Sequence, residues 1–342
     1  MSNILKVVFV IIGTMIGAGF ASGQEIYLFF FSYGVKGLIG ILISCIVIGI
    51  VIYKTFQIID KYKIDNYNDF INILIKRESK LKLVINNVIN IFILITFFIM
   101  IAGFGAYFEQ ELGISSLIGS SLLAIATFII FMTSVKGVVK ANELLVPVLI
   151  AFLVIIGFIN LKEINLLEIG NHLIKNNEGN FILSSILYSS YNSILLIPVL
   201  LTLKDYIKDK KQIIKIATTS TTTLIVLSVI IFIILINVDV DITKLEMPAV
   251  YVVSNMFKIL RYAYGFIILG SIFTTAISLG ISFLQNVAKN KKSYTQIAVI
   301  MCITSVIISK IGFSNLVSSL YPVFGYLGLL QVIKLIMQKV NS

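Results

Sequence analysis

Gly13-Thr14-Met15-Ile16-Gly17-Ala18-Gly19-Phe20-Ala21-Ser22-Gly23 interrupts an otherwise unbroken apolar run from Ile4 to Phe31. A membrane-spanning helix keeps its backbone N–H and C=O groups bonded within itself, because hydrocarbon offers no other partners. Four glycines among these eleven residues, with Thr14 and Ser22 between them, weaken the helix where it would cross the middle of a bilayer. Two readings fit. Either the glycines form a small-residue face for a neighbouring helix, or the helix breaks and offers amides and carbonyls to a buried cavity that holds solutes and ions.

The rest of the chain is equally apolar. With 58% hydrophobic and 13% charged residues and a mean hydropathy of +1.03, its 342 residues exclude a soluble globular protein. A bilayer takes about 20 helical residues. Ten runs come near or exceed that length: 4–31, 37–58, 83–107, 114–134, 144–161, 181–203, 213–237, 257–284, 294–309 and 314–336. The chain therefore reads as an all-α polytopic membrane protein with ten transmembrane helices. The first run is not read as a cleavable signal peptide, because further spans follow at once.

A net charge of +11 raises the question of nucleic acid, but its distribution answers it. With ten spans and a cytoplasmic N-terminus, 20 of the 27 Lys and Arg residues fall on the cytoplasmic side. The basic excess then reports topology and contact with anionic lipid, and no nucleic-acid partner is expected. Cys45 and Cys302 read as packing thiols within spans, and the single His172 as a surface imidazole in a loop at 162–180. No Cys/His cluster suggests a metal centre. There is no Trp, so tyrosine must supply any interfacial belt.

Five spans precede the 162–180 loop and five follow it, so the second half must lie upside down relative to the first. That is the condition for a 5+5 inverted repeat, with units 1–161 and 162–342. The repeat demands a second interrupted helix. Segment 181–203 answers with Ser184, Ser185, Ser189, Ser190, Asn192, Ser193 and Pro198, which are costly in a span unless they face a cavity. The alternative is that these side chains bond back to their own helix. Between spans 2 and 3, Asn66–Arg77 alternates Phe70, Ile71, Ile73, Leu74 and Ile75 with polar residues. It reads as a short amphipathic tether on the cytoplasmic surface.

In span 8, Ser271-Ile272-Phe273-Thr274-Thr275 sets two adjacent hydroxyls midway along a helix, with the Ser271 carbonyl one turn before Thr275. Here the chain resembles the LeuT-type fold of the amino acid–polyamine–organocation superfamily, and within it the YkvI-like branch. Gly13-Thr14-Met15-Ile16-Gly17-Ala18-Gly19 is similar to the unwound G-x-x-x-G-x-G of sodium-coupled members. The span 8 segment is similar to the one that completes their ion site. Lys136-Gly137, with Pro147 further on, is similar to the link between their helices four and five. A twelve-span pattern would leave two helices missing, both outside the repeat core.

The resemblance implies a sodium site formed by the carbonyls of Gly13, Ile16 and Ser271 and the hydroxyls of Thr274 and Thr275. Some proton-driven relatives place a lysine from helix five there. Leu144–Asn160 has no Lys or Arg, which favours sodium. The expected function is a secondary active transporter, a sodium-coupled symporter of an amino acid or similar zwitterion, needing no cofactor beyond the ion. No nucleotide-binding or catalytic motif suggests an enzyme. The solute carboxylate would meet free amides at Gly17, Ala18, Gly19 and Phe20, and its ammonium the polar groups of Ser189, Ser190, Tyr191 and Asn192. Phe20 and Tyr191 would close over it.

Glu25, six residues beyond Gly19, would stand about 9 Å above a break there. A carboxylate within the bilayer marks a functional site by default. It would attract a cationic group, carry a proton, or serve structurally beside Gln24. Glu109 and Glu111 read as solvated end charges, and Tyr107 as a belt tyrosine in preference to one that reaches the roof of the cavity. The rival functions are a non-transporting nutrient sensor and a proton-coupled or osmolyte carrier. Location is expected in a bacterial cytoplasmic membrane, with both termini cytoplasmic.

Overall fold

The structure, a computed structural model, describes residues 3–64, 67–75, 79–133, 138–163, 179–207 and 209–338. Helices α1 (Asn3–Met15), α2 (Ala18–Ala21) and α3 (Gln24–Phe29) share the first apolar run. They are followed by α4 (Val35–Tyr62), α5 (Tyr67–Ile75), α6 (Ser79–Leu112), α7 (Ser116–Met132) and α8 (Val138–Glu163). The second half contains α9 (Phe181–Thr202), α10 (Lys210–Ile236), α11 (Pro248–Ser254), α12 (Lys258–Val287), α13 (Lys291–Ser309) and α14 (Phe313–Met337). Among the described residues there is no strand. Seven helices among the described residues are long and apolar enough to cross a membrane, and Asn3–Met15, Ser116–Met132 and Val146–Leu161 are shorter apolar helices.

Polar side chains start the helices where sequence offers them. Asn180 accepts from the amides of Ile182 (3.0 Å) and Leu183 (3.1 Å) at α9. Asp209 accepts from Gln212 at α10 (2.7 Å), and Asn290 from Ser293 at α13 (2.8 Å). The bundle surface is apolar. Ile39, Leu42, Ile46 and Ile50 form an exposed stripe on α4, and Ile300, Ile303 and Ile307 do so on α13. Helical spacing lays each set along one face, and hydrocarbon suits such faces where water does not. This is a multi-pass membrane protein.

The helices pack in a patterned way. Helix α4 packs on α9, α10 and α14; α6 on α7, α12, α13 and α14; α8 on α1, α10 and α12; and α9 on α14 and α1. Exchanging α1 with α9, α4 with α10, α6 with α12, α7 with α13 and α8 with α14 leaves the pairs α4–α10, α6–α12 and α1–α9 unchanged and turns each of the others into another that also packs. Thus α4–α9 becomes α10–α1, α4–α14 becomes α10–α8, and α9–α14 becomes α1–α8.

One expectation is corrected. Helix α9 runs unbroken from Phe181 to Thr202, with Pro198 inside it. Its polar side chains do not force a break because most bond to carbonyls of their own helix. Ser185 Oγ donates to Phe181 O (2.6 Å), Ser189 Oγ to Ile186 O (2.8 Å), Asn192 Nδ2 to Tyr188 O (3.0 Å) and Ser193 Oγ to Ser189 O (2.6 Å). Helical geometry ends only at Leu203. Helix α5 buries Phe70, Ile71 and Leu74, packs on α6 and α14, and accepts a bond at the Tyr67 hydroxyl from Gln331 Nε2 (2.8 Å). Lys136, Gly137 and His172 lie outside the described residues.

Candidate functional site

Helix α1 stops at Met15, inside the glycine-rich stretch. The Ile16 amide still bonds back to Ile12 O (2.8 Å). The next backbone bonds, Ala21 N–H to Gly17 O (3.0 Å) and Ser22 N–H to Ala18 O (2.9 Å), belong to the separate turn α2. Among the described residues, no backbone amide reaches the carbonyls of Gly13, Thr14, Met15 or Ile16, and the amides of Ala18, Gly19 and Phe20 reach no carbonyl. A second interruption follows at Gly23, whose φ of 83° is a left-handed value that glycine adopts without steric cost.

That turn decides where Glu25 goes. Had the helix continued from Gly19, Glu25 would stand well above the break. Instead the Ser22–Gly23 turn lets its side chain fold back over α2. Its carboxylate faces the Phe20 amide, accepts from the Tyr191 hydroxyl, and lies against Gly19, where a Cβ would run into it. Of the amides expected to receive a solute carboxylate, that of Phe20 is therefore taken by the chain's own acid. Glu25 is only 4% exposed, and among the described residues no cation pairs with it.

Aromatic rings surround this pair. Tyr191 stacks on Tyr321 (4.7 Å between centroids) and on Phe29 (5.5 Å), and meets Tyr188 edge-on (5.4 Å). Phe92 of α6 reaches Tyr191 at 6.5 Å and Phe324 at 4.2 Å. Phe20 is fully buried nearby in sequence. Of the polar residues expected to line the site, Tyr191 reaches Glu25, whereas Ser189 and Asn192 are bonded within α9. Ser190 is fully buried, and its hydroxyl has no partner.

The sodium set is distributed over two helices. Thr274 Oγ1 shares its proton between Gly270 O and Ser271 O (both 3.1 Å). Ser271, Thr274 and Thr275 thus remain together on α12. Gly13 lies under Val146 of α8, so close that a Cβ would come within 2.7 Å of a valine methyl. Helices α1 and α12 both pack on α8, but they are not among each other's principal neighbours.

A segment spanning residues 237–257 caps one end of the bundle, just beyond the break. The Ala249 amide donates to Ser22 O (2.8 Å), and the Tyr264 hydroxyl to Ala21 O (2.6 Å). Gln110 of α6 clasps Met247, accepting from its amide (2.9 Å) and donating to its carbonyl (3.1 Å). Glu246 accepts from the Ser314 amide at the start of α14 (2.6 Å), and Ser314 Oγ accepts from Gln24 Nε2 (2.6 Å). Burial raises the pKa of Glu246, with the Glu109 charge adding to the rise and the Ser314 and Phe313 amides opposing it.

Two readings at the end of α6 are corrected. Glu111 is buried and paired with Arg261 (3.5 Å), because the capping segment and the start of α12 shield it. Tyr107 is buried rather than in a belt: its hydroxyl packs where Gly265 leaves no side chain. Gln110, Glu246, Tyr264, Ser314 and Tyr321 were not legible as functional residues. Glu246 alone carried a signal, as an acid directly before the apolar Met247-Pro248-Ala249-Val250.

No protein-family profile matches the chain. It is 30% identical over 337 residues to the uncharacterized membrane protein YkvI of Bacillus subtilis (strain 168), covering 95% of this chain and 92% of that one. Among solved structures it is similar to MhsT in complex with L-phenylalanine, with a TM-score of 0.64 and 16% identity over 95% of this chain and 87% of MhsT. It is also similar to a Na+-coupled sialic acid symporter, with a TM-score of 0.64 and 12% identity over 97% of this chain and 78% of that one. The likeness to these structures concerns the fold, and the likeness to YkvI runs through nearly the whole sequence. The chain belongs to the YkvI family of membrane proteins and has the LeuT-type fold.

Proposed function

We propose that this protein is a secondary active transporter that moves a small ammonium-bearing solute together with sodium by alternating access. The observation that carries this reading is the interruption at Ile16–Gly17, with the buried Glu25–Tyr191 pair against the short helix α2 that follows it. Unpaired backbone within a span is tolerated where it is buried in protein or lines a cavity, and transporters use such breaks to hold solutes and ions. Of the zwitterion read from the sequence, the ammonium end is the part that this geometry serves. Sodium would use the free carbonyls of Gly13 and Ile16 with Ser271, Thr274 and Thr275, once α1 and α12 approach each other across α8.

The pairwise exchange of helix contacts supports a ten-helix 5+5 repeat with units 1–161 and 162–342, in which α1–α3 correspond to the unbroken α9. The charge distribution supports cytoplasmic termini, which puts the 237–257 cap on the outer face. Closure there, with bonds from the cap to α2, α6 and α14, fits a state shut to the outside.

The test is accumulation of labelled amines and amino acids in proteoliposomes, with and without an inward sodium gradient. Sodium-driven accumulation above equilibrium is expected. Saturable binding without accumulation under sodium or proton gradients would make the protein a sensor. Accumulation driven by a proton gradient alone would remove sodium.

A further inference from the structure

We infer that the solute of this site is a small organic amine without a carboxylate, held by Glu25. This rests on the transporter reading for the site's location, but concerns only what the site binds.

The first argument is charge. Helix α3, which carries Glu25, packs on α2, α9, α10 and α14, and among the described residues these elements are free of cations at that depth; α10 has none after Lys215. No Lys, Arg or His occurs between Lys6 and Lys36, which covers α2, α3 and most of α1. None occurs from Phe181 to Leu203 in α9, or between Lys310 and Lys334 in α14. Helix α6 has none after Lys82, and α12 none between Arg261 and Lys289. A buried carboxyl either holds a proton or has a charged partner, and among the described residues the chain offers it only a phenol and an amide. A cation from outside the chain would hold it ionised.

The second argument is occupancy. In an amino acid carrier built on this break, the free amides at the start of α2 would take the solute carboxylate. Here Glu25 already lies on Gly19 and the Phe20 amide. A second carboxylate brought to the same few ångströms would meet a like charge in a medium that screens poorly. The site therefore selects against the carboxylate that distinguishes an amino acid from its amine.

The third argument is the wall. Tyr191, Tyr321, Phe29 and Tyr188 pack on one another beside the acid, and parting them would expose aromatic faces, which attract ammonium groups. In the closed state the Tyr191 hydroxyl donates to Glu25. An incoming ammonium takes over that donor position, so binding requires α9 and α3 to part slightly at Tyr191.

The experiment uses the full-length protein in lipid nanodiscs and measures direct binding of matched pairs that differ only by the carboxylate. Suitable pairs are 2-phenylethylamine with phenylalanine, 3-methylbutylamine with leucine, and 1,4-diaminobutane with ornithine. At least one amine is expected to bind tenfold or more tightly than its amino acid. Glu25→Gln should weaken that amine at least tenfold, while Glu25→Asp, which keeps the charge, should retain part of the affinity. Should Glu25→Gln fail to fold, the wild-type comparison still decides. Amino acids binding as tightly as their amines would overturn the inference. So would amine binding that survives Glu25→Gln, or the failure of every amine to bind at millimolar concentration. Amine binding without gradient-driven accumulation would sink the transport reading and leave this inference standing. Sodium-driven accumulation of an amino acid in preference to its amine would do the reverse.

Discussion

Replacing Gln110 with alanine tests whether the 237–257 segment is a closed cap whose bonds hold it shut. Gln110 makes a paired contact with Met247, accepting at 2.9 Å and donating at 3.1 Å. Met247 is fully buried, so water does not readily replace the lost partners. Each such bond contributes about 0.5–1.5 kcal/mol net, giving about 1–3 kcal/mol for the pair. That corresponds to a shift of roughly 5- to 150-fold in the equilibrium between closed and open cap. Hydrogen exchange reads this directly, because the Met247 amide is bonded to Gln110 and the Ala249 amide to Ser22 O. In Gln110→Ala, exchange at Ala249 should quicken by that factor, while α10, which makes no bond to Gln110, keeps its wild-type protection. Met247 loses its own acceptor and should quicken at least as much. Ala249 protection within twofold of wild type would refute the idea that these bonds hold the cap.

Glu246 should make the cap respond to pH. Its pKa is raised in the closed state, so that state binds a proton more tightly than an open, hydrated one. Lowering the pH through the raised value towards about 4.5 therefore favours closure, with a slope of at most about 1.4 kcal/mol per pH unit for one proton. Spin-label distances between positions 244 and 319 should shorten on acidification, and Glu246→Gln should flatten the response. Gly328→Ala would drive a methyl into the Ser190 carbonyl of α9; a loss of about 1–3 kcal/mol should appear as a lower Tm in detergent. Gly17→Ala is the contrast, since its extended backbone (φ −93°) suits alanine and nothing lies within 4 Å of the new Cβ, so its Tm should not fall. Thr274→Ala should raise the sodium concentration for half-maximal uptake at least tenfold without a loss of Tm. An unchanged sodium dependence in both Thr274→Ala and Thr275→Ala would remove the ion assignment.

What the sequence determined by itself is what local composition controls. Apolar length sets where a chain can be helical in hydrocarbon, and most of the runs found in this way correspond to single helices. Glycine density set where the first helix stops, because that weakness is intrinsic to Gly13–Gly23 and needs no partner. Glu25 was conspicuous for the same reason: a lone acid in an apolar run is visible without coordinates.

Tertiary structure decided the rest. Segment 181–203 has the polar composition of a broken helix, yet α9 stays whole, because serine and asparagine bond equally well to their own helix or to a cavity. Composition cannot tell those outcomes apart. The height of Glu25 depended on the turn at Gly23, which moves the carboxylate back to Phe20 and opposite Tyr191, 166 residues away in sequence. The ring cluster joins α3, α6, α9 and α14, and the cap joins Gln110, Met247 and Ser22. Such contacts between distant positions carry no local signature, since each residue is ordinary for its own helix and gains its role only from what packing brings against it.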